Sequence, residues 1–133
     1  MILCLDYGSR YIGVAITDDE EHLSVRHSVI DQKKVTGLEE VKKICQTNPI
    51  KLILVGLPVS LSGKPSQQTL QTAEFIKQLR LVIPREVGIK TVDETLTSHE
   101  AERRLKVEGI DTNNAHAEAA RMMLEEYLRS IQS

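Results

Sequence analysis

Two hydrophobic periods divide this chain. Apolar runs at residues 2–6, 11–17 and 23–30 are separated by short polar turns and predict three strands in an antiparallel meander. Past residue 36 the period becomes helical. Leu38, Val41, Ile44 and Cys45 fall on one face, Thr36 and Glu39 have capping-box spacing ahead of them, and Asn48-Pro49 stops the helix. Lys51 to Val55 is a short apolar run without alternation, which predicts a strand covered on both faces in a central parallel position. A loop rich in Ser and Gly leads into a helix over 66–82, with Leu70, Ala73, Ile76 and Leu79 predicted inward and Pro84 closing it. A strand over 87–92 ends on Asp93-Glu94. Thr97 and Glu100 form a second capping box, opening a helix to about Glu108 that Gly109 terminates. Asp111 or Thr112 caps the last helix, which runs to about Ser130 with Ala117, Ala120, Leu124, Leu128 and Ile131 inward.

The order β-β-β-α-β-α-β-α-α describes an α/β fold. Three antiparallel strands followed by parallel ones form a mixed five-stranded sheet with helices on both faces, and residues 1–133 make a single domain. Ligands of such sheets collect beyond the carboxyl ends of the strands. Asp6, the loop after Gly56 and Asp93-Glu94 all fall there.

Composition narrows the function classes. Aromatic residues are 3% of the chain, with no Trp, which argues against an extended base-stacking platform. A net charge of −2 argues against a protein that coats nucleic acid by bulk positive charge, though a local basic face is compatible with it. Cys4 and Cys45 sit on apolar patterns without metal or disulfide spacing, as expected of buried thiols in a reducing compartment. No apolar run approaches the ~20 residues of a membrane span. The expectation is a cytoplasmic protein with no membrane partner.

Four groups of residues could carry chemistry. Asp6 is a carboxylate at the end of an apolar strand, before the tight Gly8-Ser9-Arg10 turn. A charge there is costly unless paired, and a divalent cation is a natural partner; the alternative is an Asx residue that only caps the turn. Asp18 ends the second strand, and with Asp19, Glu20 and Glu21 it reads as a solvated turn. Asp93 and Glu94 are neighbours on a strand, so they point to opposite faces and one of them faces the site. Arg10 and Lys64 flank the expected cleft, and Arg103 and Arg104 cluster on the helix over 97–108, where they either track a nucleic-acid backbone or form a solvated face.

The segments LDYGSRYIGVAITD, VGLPVSLSG, VDETLTSHEA and AARMMLEEYL, in this order over nearly the whole chain, resemble the RuvX/YqgF family. Its members are described as Holliday-junction resolvases and as nucleases that process the ends of pre-16S ribosomal RNA. The resemblance implies an RNase H-like fold and metal-dependent phosphodiester hydrolysis with Mg²⁺ or Mn²⁺. It implies nucleic acid as partner, either an rRNA precursor or branched DNA, and a monomer or homodimer. By position, Asp6 and Glu94 match metal carboxylates of the family. Gly56, Pro58 and Gly63 match its cleft loop, with Ser60 at a position often held by Asn. Thr97 falls in a threonine region of the family but is equally a helix cap. His116 stands where the family usually has Asp on the last helix. It is expected to complete the metal shell or handle a proton, with a structural role at the core edge and substitution by Glu118 as alternatives. Thr95 replaces an Arg, and the basic segment before the last helix is shorter than usual. The competing reading is a nucleic-acid or ribosome-assembly module that has lost its third acid and does not cleave. A nucleotide-binding relative of the actin and sugar-kinase fold is disfavoured, because 133 residues leave no space for its second domain.

Overall fold

The computed structural model describes residues 1–58, 66–94 and 114–132, with Pro58 and Glu94 described by their backbone. The strands are β1 (Ile2–Tyr7), β2 (Tyr11–Thr17), β3 (Ser24–Asp31), β4 (Leu52–Pro58) and β5 (Gly88–Glu94). The helices are α1 (Gly37–Thr47), α2 (Gln67–Val82) and α3 (Ala115–Gln132). The strands form one five-stranded sheet in the order β3-β2-β1-β4-β5. β1–β2 and β2–β3 are antiparallel, while β1–β4 and β4–β5 are parallel, so the expected mixed sheet forms.

Strand parity sorts the core into two layers. Leu3, Leu5, Ile12, Val14, Ile53 and Val55 face α1 and α2, where they meet Val41, Ile44, Phe75 and Leu79. Ile2, Cys4, Ala15 and Leu54 face α3, where they meet Ala120, Met123, Leu124 and Leu128. Helices therefore cover both faces, and β1 and β4 are buried on both sides as the unbroken apolar runs require.

Several local expectations need correction. α2 turns Thr72, Phe75 and Leu79 inward, while Leu70 is 59% exposed and Ala73 is also exposed. The inward face was hidden by a polar residue: the Thr72 hydroxyl donates to the Gln68 carbonyl at 2.8 Å, so its burial leaves no orphan donor. Phe75 then meets Tyr7 edge-on, with ring centroids 4.4 Å apart. On α3, Ile131 is exposed in the last turn rather than inward. Thr36 is the N-cap of α1 but makes no side-chain capping bond, so its box is not closed. Ser66 does cap α2, accepting from the Thr69 N–H at 3.1 Å. Strands β4 and β5 run further than predicted and take in Pro58 and Glu94. The expected helix over 97–108 lies outside the described residues.

Asp18 follows β2 at the far end of the sheet from Asp6. It accepts from the His22 and Leu23 N–H groups at 2.7 and 2.9 Å, as a turn residue. The bond from Leu23, then that from His22, holds its carboxyl below the usual range. Glu21, in the left-handed region with φ 60°, pairs with Lys51 at 2.9 Å and with the amino terminus at 3.4 Å. The Lys51 bond comes first among the influences that lower its pKa.

Candidate active site

The carboxyl ends of β1, β4 and β5 share one edge of the sheet with the β1–β2 turn and the start of α3. Asp6 is the sixth residue of the chain and only 5% exposed. Strand parity gives it the face of Ile2 and Cys4, beneath α3, whereas its neighbour Tyr7 packs on the opposite layer. Asp6 pairs across the antiparallel ladder with Gly13.

Gly13 allows α3 to come close. A Cβ at this position would lie 1.9 Å from the His116 carbonyl oxygen and 2.8 Å from the Ala117 nitrogen. The backbone of the first turn of α3 therefore rests directly on the Asp6–Gly13 rung, and no side chain fits between them. This brings a residue 116 positions along the chain beside the end of β1.

The β1–β2 turn is fixed from two sides. At Gly8 a Cβ would lie 2.7 Å from the Tyr11 carbonyl oxygen, so the turn has room for glycine alone. The Gln32 side-chain amide donates to the Gly8 and Ser9 carbonyls at 2.9 and 3.2 Å, and its backbone N–H donates to the Arg10 carbonyl at 2.7 Å. Arg10 at the tip has its guanidinium carbon 4.8 Å from the Tyr11 ring centroid and its Nε 3.6 Å from Asp31. The Tyr11 ring in turn lies 5.4 Å from the His116 ring, inclined by 31°.

His116 is half-buried, and its ring borders an open cleft of about 620 Å³ between the β1–β2 turn and the start of α2. The cleft edge includes Arg10, Tyr11, Gln67, Gln68 and Gln71. The sequence reading identified Arg10 and His116 here. It missed Tyr11, the glutamines and Gly13, whose roles depend on segments more than fifty residues apart coming together.

Glu94 closes β5 opposite Pro58, at the parity of Val92, which packs on the α3 side. Leu5 is level with Val55 and Thr91, so Glu94 lies two strands over and two residues past the level of Asp6. Ordinary strand spacing and rise make this a Cα separation of roughly 12 Å. Asp93 is exposed and borders a groove of about 320 Å³ with Met123 and Tyr127.

Glu118 is engaged elsewhere. It is 3% exposed and ion-paired with Arg121, which also pairs with Glu125. Burial opposes the charge of Arg121, but the hydrogen bonds it donates to Glu118 and Glu125 outweigh it and raise the guanidinium pKa above its usual value. A buried glutamate held by an arginine is a poor candidate for a metal ligand, which weighs against the substitution of Glu118 for His116. Among the described residues, which do not include the Glu94 side chain, no three His, Cys, Asp or Glu side chains form a metal-sized cluster. Lys64, Arg103, Arg104, Thr97, Ser60 and Gly63 lie outside the described residues.

A family model described as RuvX, Holliday junction resolvase, matches residues 1–130. The chain belongs to the RuvX family. It is 32% identical over 136 residues to a Rickettsia bellii (strain OSU 85-389) protein named "Putative pre-16S rRNA nuclease", covering 98% of this chain and 86% of that one. A Clostridium novyi (strain NT) protein of the same name is 32% identical over 139 residues, covering 98% of both chains. Among solved structures, Thermus thermophilus RuvC in complex with a Holliday junction substrate superposes with a TM-score of 0.54 at 11% identity, covering 99% of this chain and 96% of that one. At that identity the likeness concerns the fold, and it agrees with the RNase H-like α/β architecture of this chain.

Proposed function

We propose that this RuvX-family chain is a divalent-metal-dependent nuclease that hydrolyses phosphodiesters of structured nucleic acid, at pre-16S rRNA ends or at Holliday-junction-like branches. The observation that carries the reading is the placement of Asp6, a nearly buried carboxylate at a strand end directly under the first turn of α3. The donor set fits a hard or borderline cation: carboxylate oxygens at Asp6 and Glu94, and an imidazole at His116. The Cα span from Asp6 to Glu94 is one that an aspartate and a glutamate can close through one or two such ions. The cation supplies neutralisation of charge at the scissile phosphate. Asp6 holds its position from the rigid floor of the sheet, with Glu94 on the parallel side and His116 on the helix above. His116 completes the ligand shell or moves a proton, and Arg10, Lys64, Arg103 and Arg104 align the phosphate backbone.

A second reading has one specific observation in its favour. The His116 ring packs beside Tyr11, which also suits a structural histidine in a module that binds nucleic acid without cutting it. Cleavage of end-labelled single-stranded RNA, duplexes and four-way junctions, in Mg²⁺ and in Mn²⁺, separates the two. The nuclease reading expects metal-dependent products from at least one substrate, abolished by Asp6→Asn. Background cleavage of every substrate in both metals, with retained binding, favours the module.

A further inference from the structure

The cleft beside His116 has a chemical character that the metal ligands do not explain. It holds about 620 Å³, within the roughly 300–1,000 Å³ of small-ligand sites, which is room for one or two nucleotides and not for a duplex. Its edge carries a cation at Arg10 and no carboxylate among the described residues. Arg10 keeps half of its side-chain surface exposed while Asp31 and the Tyr11 ring hold it in place. The amino end of α2 borders the same space through Gln67 and Gln68, and the positive end of a helix favours anions. Tyr11 and His116 supply neighbouring rings, and Gln67, Gln68 and Gln71 supply exposed carboxamides. Carboxamides can both donate to and accept from the pairing edge of a base, an edge that a duplex hides.

We infer that this cleft seats an unpaired nucleotide of the substrate strand, next to the cleavage site. Arg10 and the start of α2 take its phosphate, the Tyr11–His116 ring pair takes the face of its base, and the α2 glutamines take the base edge. The inference rests on the nuclease reading for its place beside the scissile bond. It adds a preference for strands with a single-stranded flank, such as overhangs, splayed ends or junction arms that have opened. Low overall aromatic content excludes a long stacking platform but not a single seat of this kind.

The test is binding, read apart from cleavage. Fluorescein-labelled single-stranded hexanucleotides, in ribo and deoxy forms, and a blunt duplex hairpin are titrated by fluorescence anisotropy in EDTA. Wild type is expected to bind the hexamers. The double substitution of Gln68 and Gln71 by Ala, both exposed, should raise the hexamer Kd about tenfold while changing the duplex Kd less than about twofold. Arg10→Ala should weaken hexamer binding and flatten its salt slope by about 0.7. Circular dichroism checks the fold of each variant. Wild-type failure to bind hexamers, unchanged hexamer affinity in folded variants, or equal weakening for hexamer and duplex each overturns the seat. If the chain cleaves while folded variants bind hexamers as wild type does, the seat is wrong and the nuclease reading stands. If hexamer binding depends on these residues in a chain that cleaves nothing, the seat stands without the nuclease.

Discussion

Gly13→Ala adds one methyl group at the point where α3 touches the sheet. The new Cβ would lie 1.9 Å from the His116 oxygen and 2.2 Å from its carbonyl carbon, both backbone atoms that cannot rotate away. Ordinary contact begins near 3.4 Å, so the start of α3 must lift by about 1.5 Å. Overpacking a tight core contact costs typically 1–3 kcal/mol, and a backbone clash belongs at about the upper end, near 3 kcal/mol. For a chain of 133 residues this lowers Tm by roughly 10 °C. The same shift moves His116 away from Asp6, and misplacement by about 1 Å can cost on the order of 100-fold in rate. Urea unfolding and initial cleavage rates measured well below the midpoint separate the two effects. The folded fraction of the variant should remain high while its rate falls by about two orders of magnitude. Stability within ~0.5 kcal/mol of wild type, together with an unchanged rate, would refute the claim that Gly13 sets the height of α3 over the site.

Smaller perturbations test other parts of the structure. Ser66→Ala removes a made cap from α2 and should cost about 1 kcal/mol, whereas Thr36→Ala removes no capping bond and should cost under about 0.5 kcal/mol by the same urea titration. Glu21 has its folded pKa below the unfolded value near 4.5, so its contribution to stability is present above that pH and is lost as pH falls through the lowered folded value. Glu21→Gln should therefore lower the urea midpoint slightly at pH 7 and not at pH 3, and an equal deficit at both would disconnect it from the Lys51 pair. His116→Asp exchanges an imidazole for a harder ligand and should shift the ratio of cleavage rates toward Mg²⁺ over Mn²⁺; an unchanged ratio would leave His116 with the structural role its contact with Tyr11 suggests.

The sheet was readable because its signals are local. The apolar runs of β1, β2 and β4 mark strands covered by the core, and the parallel position of β4 follows from burial on both faces. Asp6 stands out in the sequence as a candidate because a carboxylate at the end of such a strand is unusual on its own, and the structure shows it nearly buried. The phase of α2 was not, since Thr72 hides its burial behind an internal hydrogen bond while Leu70 is left exposed. The Thr36 box had the right residues, but the chain entering α1 does not bring the hydroxyl into a capping bond. Gly13 reads as one more small residue in a strand until α3 is placed over it, and the grouping of Arg10, Tyr11, Gln68, Gln71 and His116 exists only once α2 and α3 have docked on opposite faces of the sheet.

The central claim is that Asp6 anchors a catalytic cation under the start of α3. Its most direct test is the initial rate of Mn²⁺-supported cleavage by Asp6→Asn against wild type, on whichever labelled substrate wild type cuts, with circular dichroism showing equal folding. The expected result is a loss of at least about 100-fold, because the substitution removes the charge and keeps the shape. A folded Asp6→Asn that cleaves at the wild-type rate would contradict it.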